Sequence, residues 1–143
     1  MRLSSPAFEH NAFIPLKFTC QGESINPKLI IEEIPLETKS LALIMDDPDA
    51  ASGDFVHWVV YDIAVTNSIE ENSIPGKEGV NSSGGSDYVG PCPPTGAHHY
   101  FFKVYALDKM LNLGKGLRKP DLEKAIGPHI LAKAELIGLY KKK

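Results

Sequence analysis

Long apolar runs are missing from this 143-residue chain. No stretch approaches the ~20 apolar residues that a membrane-spanning helix needs. The segment Met1-Arg2-Leu3-Ser4-Ser5-Pro6 has none of the apolar h-region of a secretory signal. The expectation is a cytoplasmic protein without a membrane span. Basic clusters are equally scarce: net charge is -3 and the one dense basic run is Lys141-Lys142-Lys143. That run reads as a solvated tail, so no nucleic acid partner is expected. Cysteine is limited to Cys20 and Cys92, which form no CxxC pair, excluding a zinc ribbon or a dithiol redox motif. Free thiols are the expectation in a cytosolic setting, with a Cys20–Cys92 disulfide the less favoured outcome. Asn81-Ser82-Ser83 matches a glycan acceptor but carries no weight without a secretory signal. Also absent are HExxH, GxSxG and Walker A motifs, internal repeats, and any linker that would mark a second domain. The chain is read as a single domain over residues 1–143.

Turn formers are plentiful. Eleven prolines and twelve glycines break short apolar runs, a pattern of β structure rather than long helices. Strands are predicted over Lys28 to Glu32, Ser40 to Met45, Phe55 to Ile63 and His98 to Leu107. In the third, strict alternation puts Phe55, His57, Val59, Tyr61 and Ile63 on one face and Val56, Trp58 and Val60 on the other. Both faces are apolar, so this strand is expected inside a sheet. In the fourth, His98, Tyr100, Phe102, Val104 and Ala106 share a face. A short helix opens near Pro120-Asp121 and is interrupted by Gly127-Pro128, and Ala132 to Tyr140 suits a closing strand. Between Asn72 and Thr95 the chain is rich in Gly, Pro and Ser, and a loop of that length in a compact domain is usually functional.

Two places bear chemistry. An acidic turn, Asp46-Asp47-Pro48-Asp49, precedes the strand that carries His57, and the Gly/Pro loop precedes the strand that begins with His98. If those strands are neighbours, the four polar side chains of Asp47, Asp49, His57 and His98 converge at one sheet end. Imidazole and backbone N–H groups then donate to an anion such as phosphate, while a carboxylate behind a histidine sets its tautomer. Taken singly, each Asp reads more simply as turn capping and each His as a structural side chain. A zwitterion such as phosphoethanolamine would add an ammonium for an Asp or an aromatic face to hold.

At these residues the sequence resembles the phosphatidylethanolamine-binding proteins, which include the Raf kinase inhibitor proteins. The resemblance rests on SLALIMDDPDA followed by VHWVVYDI, and on SDYVGPCPPTGAHHY followed by FFKVYALD, and it spans nearly the whole chain. The short length and the GPCPP loop are similar to the bacterial and archaeal branch. It implies a mainly β fold, a sandwich of two antiparallel sheets with short helices near the C-terminal part. It also implies a ligand pocket of Asp47, Asp49, His57 and His98, with Gly90 and Tyr100 nearby and Phe55, Val89 and Pro93 on its wall. Three positions depart from the family pattern. Ala51 stands where proline is frequent, which removes the reason for a cis peptide and implies a looser turn; Phe55 replaces a frequent Trp; and His99 replaces a frequent Arg, so a family salt bridge is expected to be lost.

The function expected is binding of a phosphate-like anion or phosphorylated headgroup, with no catalytic residue, metal or cofactor. Inhibition of a serine protease or kinase is the alternative, with the Gly84 to Thr95 loop as the segment that would enter a protease cleft. A metal-dependent or acid-base enzyme is the second alternative, since two Asp and two His suit either. A homodimer is left open.

Overall fold

The computed structural model describes residues 1–143. Eight strands and one α-helix make up the chain: β1 (Arg2–Ser4), β2 (Leu29–Glu32), β3 (Ser40–Asp47), β4 (Phe55–Ile63), β5 (Ser68–Ile69), β6 (Lys77–Glu78), β7 (Ala97–Leu107), α1 (Lys119–Ile126) and β8 (Ile130–Lys141). Single 3-10 turns occupy Leu16–Phe18 and Gly127–His129. The strands form a three-stranded sheet, β1-β2-β5, and a five-stranded sheet, β6-β4-β3-β7-β8, with every paired neighbour antiparallel. The expected two-sheet, mainly β architecture is therefore present, with its α-helix near the C-terminal end.

Apolar side chains on both faces explain why β3 sits in the middle of the larger sheet. Leu41, Leu43 and Met45 enter the main core with Trp58 and Val60 of β4, Tyr100, Phe102 and Val104 of β7, and Leu3, Leu29 and Ile31 of the small sheet. Ala42 and Ile44 point the other way, into a smaller cluster with Val59, Tyr61 and Leu107 that Leu122 and Ile126 of α1 cover. Pro120 at the start of α1 has no N–H to satisfy there, which suits a first helical turn. Helix α1 thus closes the sheet's outer face, and the inner face is left to build the site.

Strict alternation fails in β4, contrary to expectation. Met45 pairs with Trp58 and Asp46 with Val56, which leaves His57 as an extra residue with no partner on β3. A second irregularity lies between Leu41↔Ile63 and Leu43↔Val60, where Asp62 has a positive φ of 52°. These two bulges place Trp58, Val60 and Ile63 in the main core and Val59 and Tyr61 in the outer one. A bulge bends its strand and re-aims a side chain, and here the residue it frees is a candidate site histidine.

The cysteine expectation is also corrected. Cys20 and Cys92 form a disulfide across 72 positions, with Cα atoms 5.4 Å apart. The physical reason is local: the Cys20 N–H donates to the Pro91 carbonyl at 3.1 Å, so the Gly/Pro loop lies directly against the 3-10 turn that precedes Cys20.

Candidate functional site

Three strand ends meet at one edge of the five-stranded sheet. β3 finishes at Asp47, β4 begins at Phe55 opposite it, and β7 begins beside them at Ala97, one residue before His98. Above this edge is a cavity of about 400 Å³ lined by Asp47, His57 and His98 together with Phe55, Val89, Gly90, Pro93 and Tyr100. Ala50, Ala51 and Ser52 of the acidic turn, and Ser83, Cys92 and Pro94 of the loop, complete its wall. Of the nine residues singled out from the sequence, eight line this one cavity. Asp49 does not.

Asp49 is turned outward, and the reason is visible in its partners. Its Oδ2 accepts hydrogen bonds from the His99 backbone N–H at 2.8 Å and from His99 Nδ1 at 2.7 Å. Those bonds from His99 hold the carboxyl below its ordinary value. His99, standing where arginine is frequent in the family, thus makes a hydrogen-bonded pair with Asp49. The pair ties the 47–53 turn to the start of β7 and leaves Asp47 as the acid behind the cavity.

Asp47 is almost fully buried and uses both oxygens. Oδ1 accepts the Asp49 backbone N–H at 2.8 Å, the turn-capping role expected of an Asp followed by Pro. Oδ2 lies 2.7 Å from His98 Nδ1. A carboxylate has no proton to give, so Nδ1 of His98 carries the hydrogen and Nε2 is left without a protein partner.

His57 is oriented by a different acceptor. Its Nδ1 lies 2.6 Å from the Val89 carbonyl oxygen, and that oxygen can only accept, so again Nδ1 is protonated. The Val89 N–H donates back to the His57 carbonyl at 3.1 Å, which docks the loop on the bulge. Burial pushes the imidazole below its ordinary value, although the Val89 carbonyl and the carboxylates of Asp47, Asp46 and Asp54 pull the other way. Loss of hydration outweighs these acids at a 4% exposed ring.

Tyr100 lies between the two histidines. Its ring meets His57 edge-on with centroids 5.3 Å apart, and is stacked on His98 at 6.5 Å. The hydroxyl is buried and donates to no acceptor within the protein, while the Cys92 backbone N–H approaches its oxygen. Burial, then the charges of Asp47 and Asp49, push its pKa up, so it stays a neutral phenol and a donor. A buried hydroxyl without a partner costs about 1–3 kcal/mol. Nothing in the sequence pattern signals it, since Tyr100 occupies an ordinary inward position on β7.

The loop supplies walls rather than anion donors. Gly90 N–H is already bonded to Ser24 Oγ at 3.0 Å, so the expected backbone donor from this glycine is taken. Tyr88 bonds the Phe18 carbonyl through its hydroxyl at 2.8 Å. Asn81 is buried and its amide organises the loop, donating to the Asp87 carbonyl at 2.8 Å and accepting from Ser83 and Gly85 N–H, which removes it as a glycan acceptor. Gly90, Pro91 and Pro93 are buried, so the segment from 84 to 95 does not stand out as one exposed loop. No group of three or more His, Cys, Asp or Glu side chains is arranged to hold a metal ion.

A two-sheet β sandwich with a small-ligand cavity at the end of its larger sheet, floored by two oriented imidazoles, defines a class of binding folds. The family model for phosphatidylethanolamine-binding protein matches residues 4–141, and the chain belongs to that family. Among its relatives is a UPF0098 protein of Methanothermobacter thermautotrophicus, 44% identical over 99% of both chains. Another, from Chlamydia muridarum, is 43% identical over 99% of both. The crystal structure of a phosphatidylethanolamine-binding protein homologue from Chlamydia trachomatis superposes with a TM-score of 0.96 at 40% identity, covering 99% of this chain and 97% of that one. Escherichia coli YbcL, at 24% identity and TM-score 0.91 over 99% and 98% of the two chains, shares the fold.

Proposed function

We propose that this chain is a binding protein whose cavity captures a phosphate-like anion. The observation that carries the reading is the convergence of the His98 and His57 imidazoles, each held at Nδ1 so that Nε2 is left free, on one small, apolar-walled space. Asp47 holds His98 Nδ1 and leaves Nε2 to meet an oxyanion. A bound anion in turn favours the charged ring by linkage. A zwitterion such as phosphoethanolamine would find no free carboxylate on the lining, since Asp47 is engaged and Asp49 faces away, so its ammonium would have only the Phe55 face.

We propose binding without turnover. Ser52 and Ser83 line the cavity, but neither hydroxyl is hydrogen-bonded to an imidazole, so no serine is activated as a nucleophile. Inhibition of a protease gains no support from a loop whose prolines are half buried and whose cysteine is tied down. No helix is long and apolar enough to cross a membrane. Cytoplasmic residence stays part of the proposal, and the disulfide weighs against it because such bonds persist mainly in oxidising compartments.

Calorimetric titration with inorganic phosphate and with sulfate tests the reading. A charge-assisted hydrogen bond contributes about 1.5–3 kcal/mol net, so His98→Ala is expected to weaken either anion roughly tenfold to more than a hundredfold. Sulfate affinity should also rise as falling pH protonates His57, whose Nε2 then becomes a donor, since the ligand's own charge is constant there. Unchanged affinity in His98→Ala, or a flat pH profile, contradicts the proposal.

A further inference from the structure

We infer that the cavity selects a tetrahedral oxyanion that still carries a proton, hydrogen phosphate in preference to sulfate, because His57 presents an unprotonated Nε2 to it. This rests on the anion-pocket reading above and adds the ligand's protonation state to it.

The argument begins with the Val89 carbonyl. It is 2.6 Å from His57 Nδ1 and fixes the proton there, so in the neutral ring Nε2 holds a lone pair. The docking is reciprocal, since Val89 N–H binds the His57 carbonyl, and the ring has Phe55 at 4.9 Å and Tyr100 at 5.3 Å between centroids. A tautomer swap would leave the Val89 oxygen facing a bare nitrogen. The bulge makes the ring's position independent of strand pairing with β3, so it is set by the loop contact.

Charge about the ring is one-sided. From β3 come Asp46 and Asp47, from the turn Asp54, and from β7 His98 and the neutral Tyr100; the loop contributes only the Val89 carbonyl. Burial still outweighs these acids and depresses His57, which supports a neutral ring at neutral pH and above. An acceptor aimed at the ligand requires a donor in return. An oxyanion with one P–OH satisfies Nε2 through that hydrogen, with its other oxygens turned to His98 and the rest of the cavity wall. A fully deprotonated oxyanion places oxygen lone pairs against a nitrogen lone pair. Sites built to hydrogen-bond one ligand group discriminate strongly against an analogue that lacks it.

Phosphate and sulfate at pH 8 give the test, because both are dianions of nearly the same shape and only phosphate carries a proton. Calorimetry on the intact chain is expected to show phosphate binding at least about tenfold tighter than sulfate at pH 8. The ratio is expected to shrink as pH falls through the folded His57 value, where the protonated ring becomes a donor. Methyl phosphate separates the proton from the phosphorus: as a dianion at pH 8, with no P–OH, it should bind like sulfate rather than like hydrogen phosphate. His57→Leu should abolish the phosphate preference, whereas His98→Ala should weaken both anions together. A histidine ¹⁵N spectrum of the free protein at pH 8 should show His57 protonated at Nδ1, a readout that needs no variant. Equal affinities for phosphate and sulfate at pH 8, methyl phosphate as tight as phosphate there, or an Nε2-protonated His57 overturns this inference alone. Binding of neither anion overturns the anion-pocket reading and this inference with it.

Discussion

Burial depresses the His57 imidazole, and this couples folding to pH. The unfolded chain titrates its histidines near ~6.5, while folded His57 titrates lower, so between the two values the unfolded state holds more protons. Its contribution to stability is complete above pH 6.5 and is lost as pH falls through the folded value. Asp49, also depressed, loses its contribution only as pH falls below 3.8, outside this window. Urea midpoints at pH 7.5 and 5 should therefore show a less stable protein at pH 5, with the difference reduced in His57→Leu. Equal midpoints at the two pH values would contradict the buried, neutral ring. The sequence exposed Asp47, His57 and His98 as candidates through their two motifs. It could not show which way Asp49 turns, because that depends on His99, 50 positions away, offering both a backbone N–H and a ring nitrogen. The orphaned Tyr100 hydroxyl was equally hidden, since the absence of a partner is a property of the packed core.

The loop from Asn81 to Gly96 is an element without regular structure, and it is stitched to its surroundings at every few residues. Gly90 is the tightest stitch. A Cβ added there would meet Ser24 Oγ at 2.7 Å, the Phe18 carbonyl oxygen at 2.8 Å and Thr19 carbonyl carbon at 2.9 Å. Two of these are backbone atoms that cannot swing aside, so Gly90→Ala should destabilise by about 1–3 kcal/mol and weaken anion binding through the displaced Val89. A denaturation midpoint at the native value would show that the loop has slack. The disulfide is the second stitch. Closing a 72-position loop restricts the unfolded chain by about 4 kcal/mol in the chain-entropy model. Reductant, or paired Cys20→Ser and Cys92→Ser replacement, should lower the urea midpoint correspondingly, and no change would mean that the thiols are not joined. Strand positions were readable from apolar runs, with β4 predicted at its observed limits, Phe55–Ile63. Its bulges were not, because an extra residue leaves no trace in composition. The disulfide was missed for a related reason: two isolated cysteines reveal nothing of their distance in space.

At the scale of the whole molecule, the two-sheet sandwich exists to hold three strand ends together, and its helix content is small. Only Lys119–Ile126 is α-helical, eight residues in all, so far-ultraviolet circular dichroism should be dominated by β signal. A helix-dominated spectrum would contradict the architecture. That architecture was legible because the two motifs fall on β3–β4 and on the loop entering β7, and antiparallel pairing then brings their ends to one edge. What the motifs left open was whether the polar groups at that edge face a shared space, which only packing of the loop on β4 decides. A crystal structure determined with inorganic phosphate measures this most directly. The account predicts phosphate in the cavity with oxygens within hydrogen-bonding distance of His98 Nε2 and of His57 Nε2. Phosphate bound elsewhere, with this cavity holding only water at saturating ligand, would contradict it.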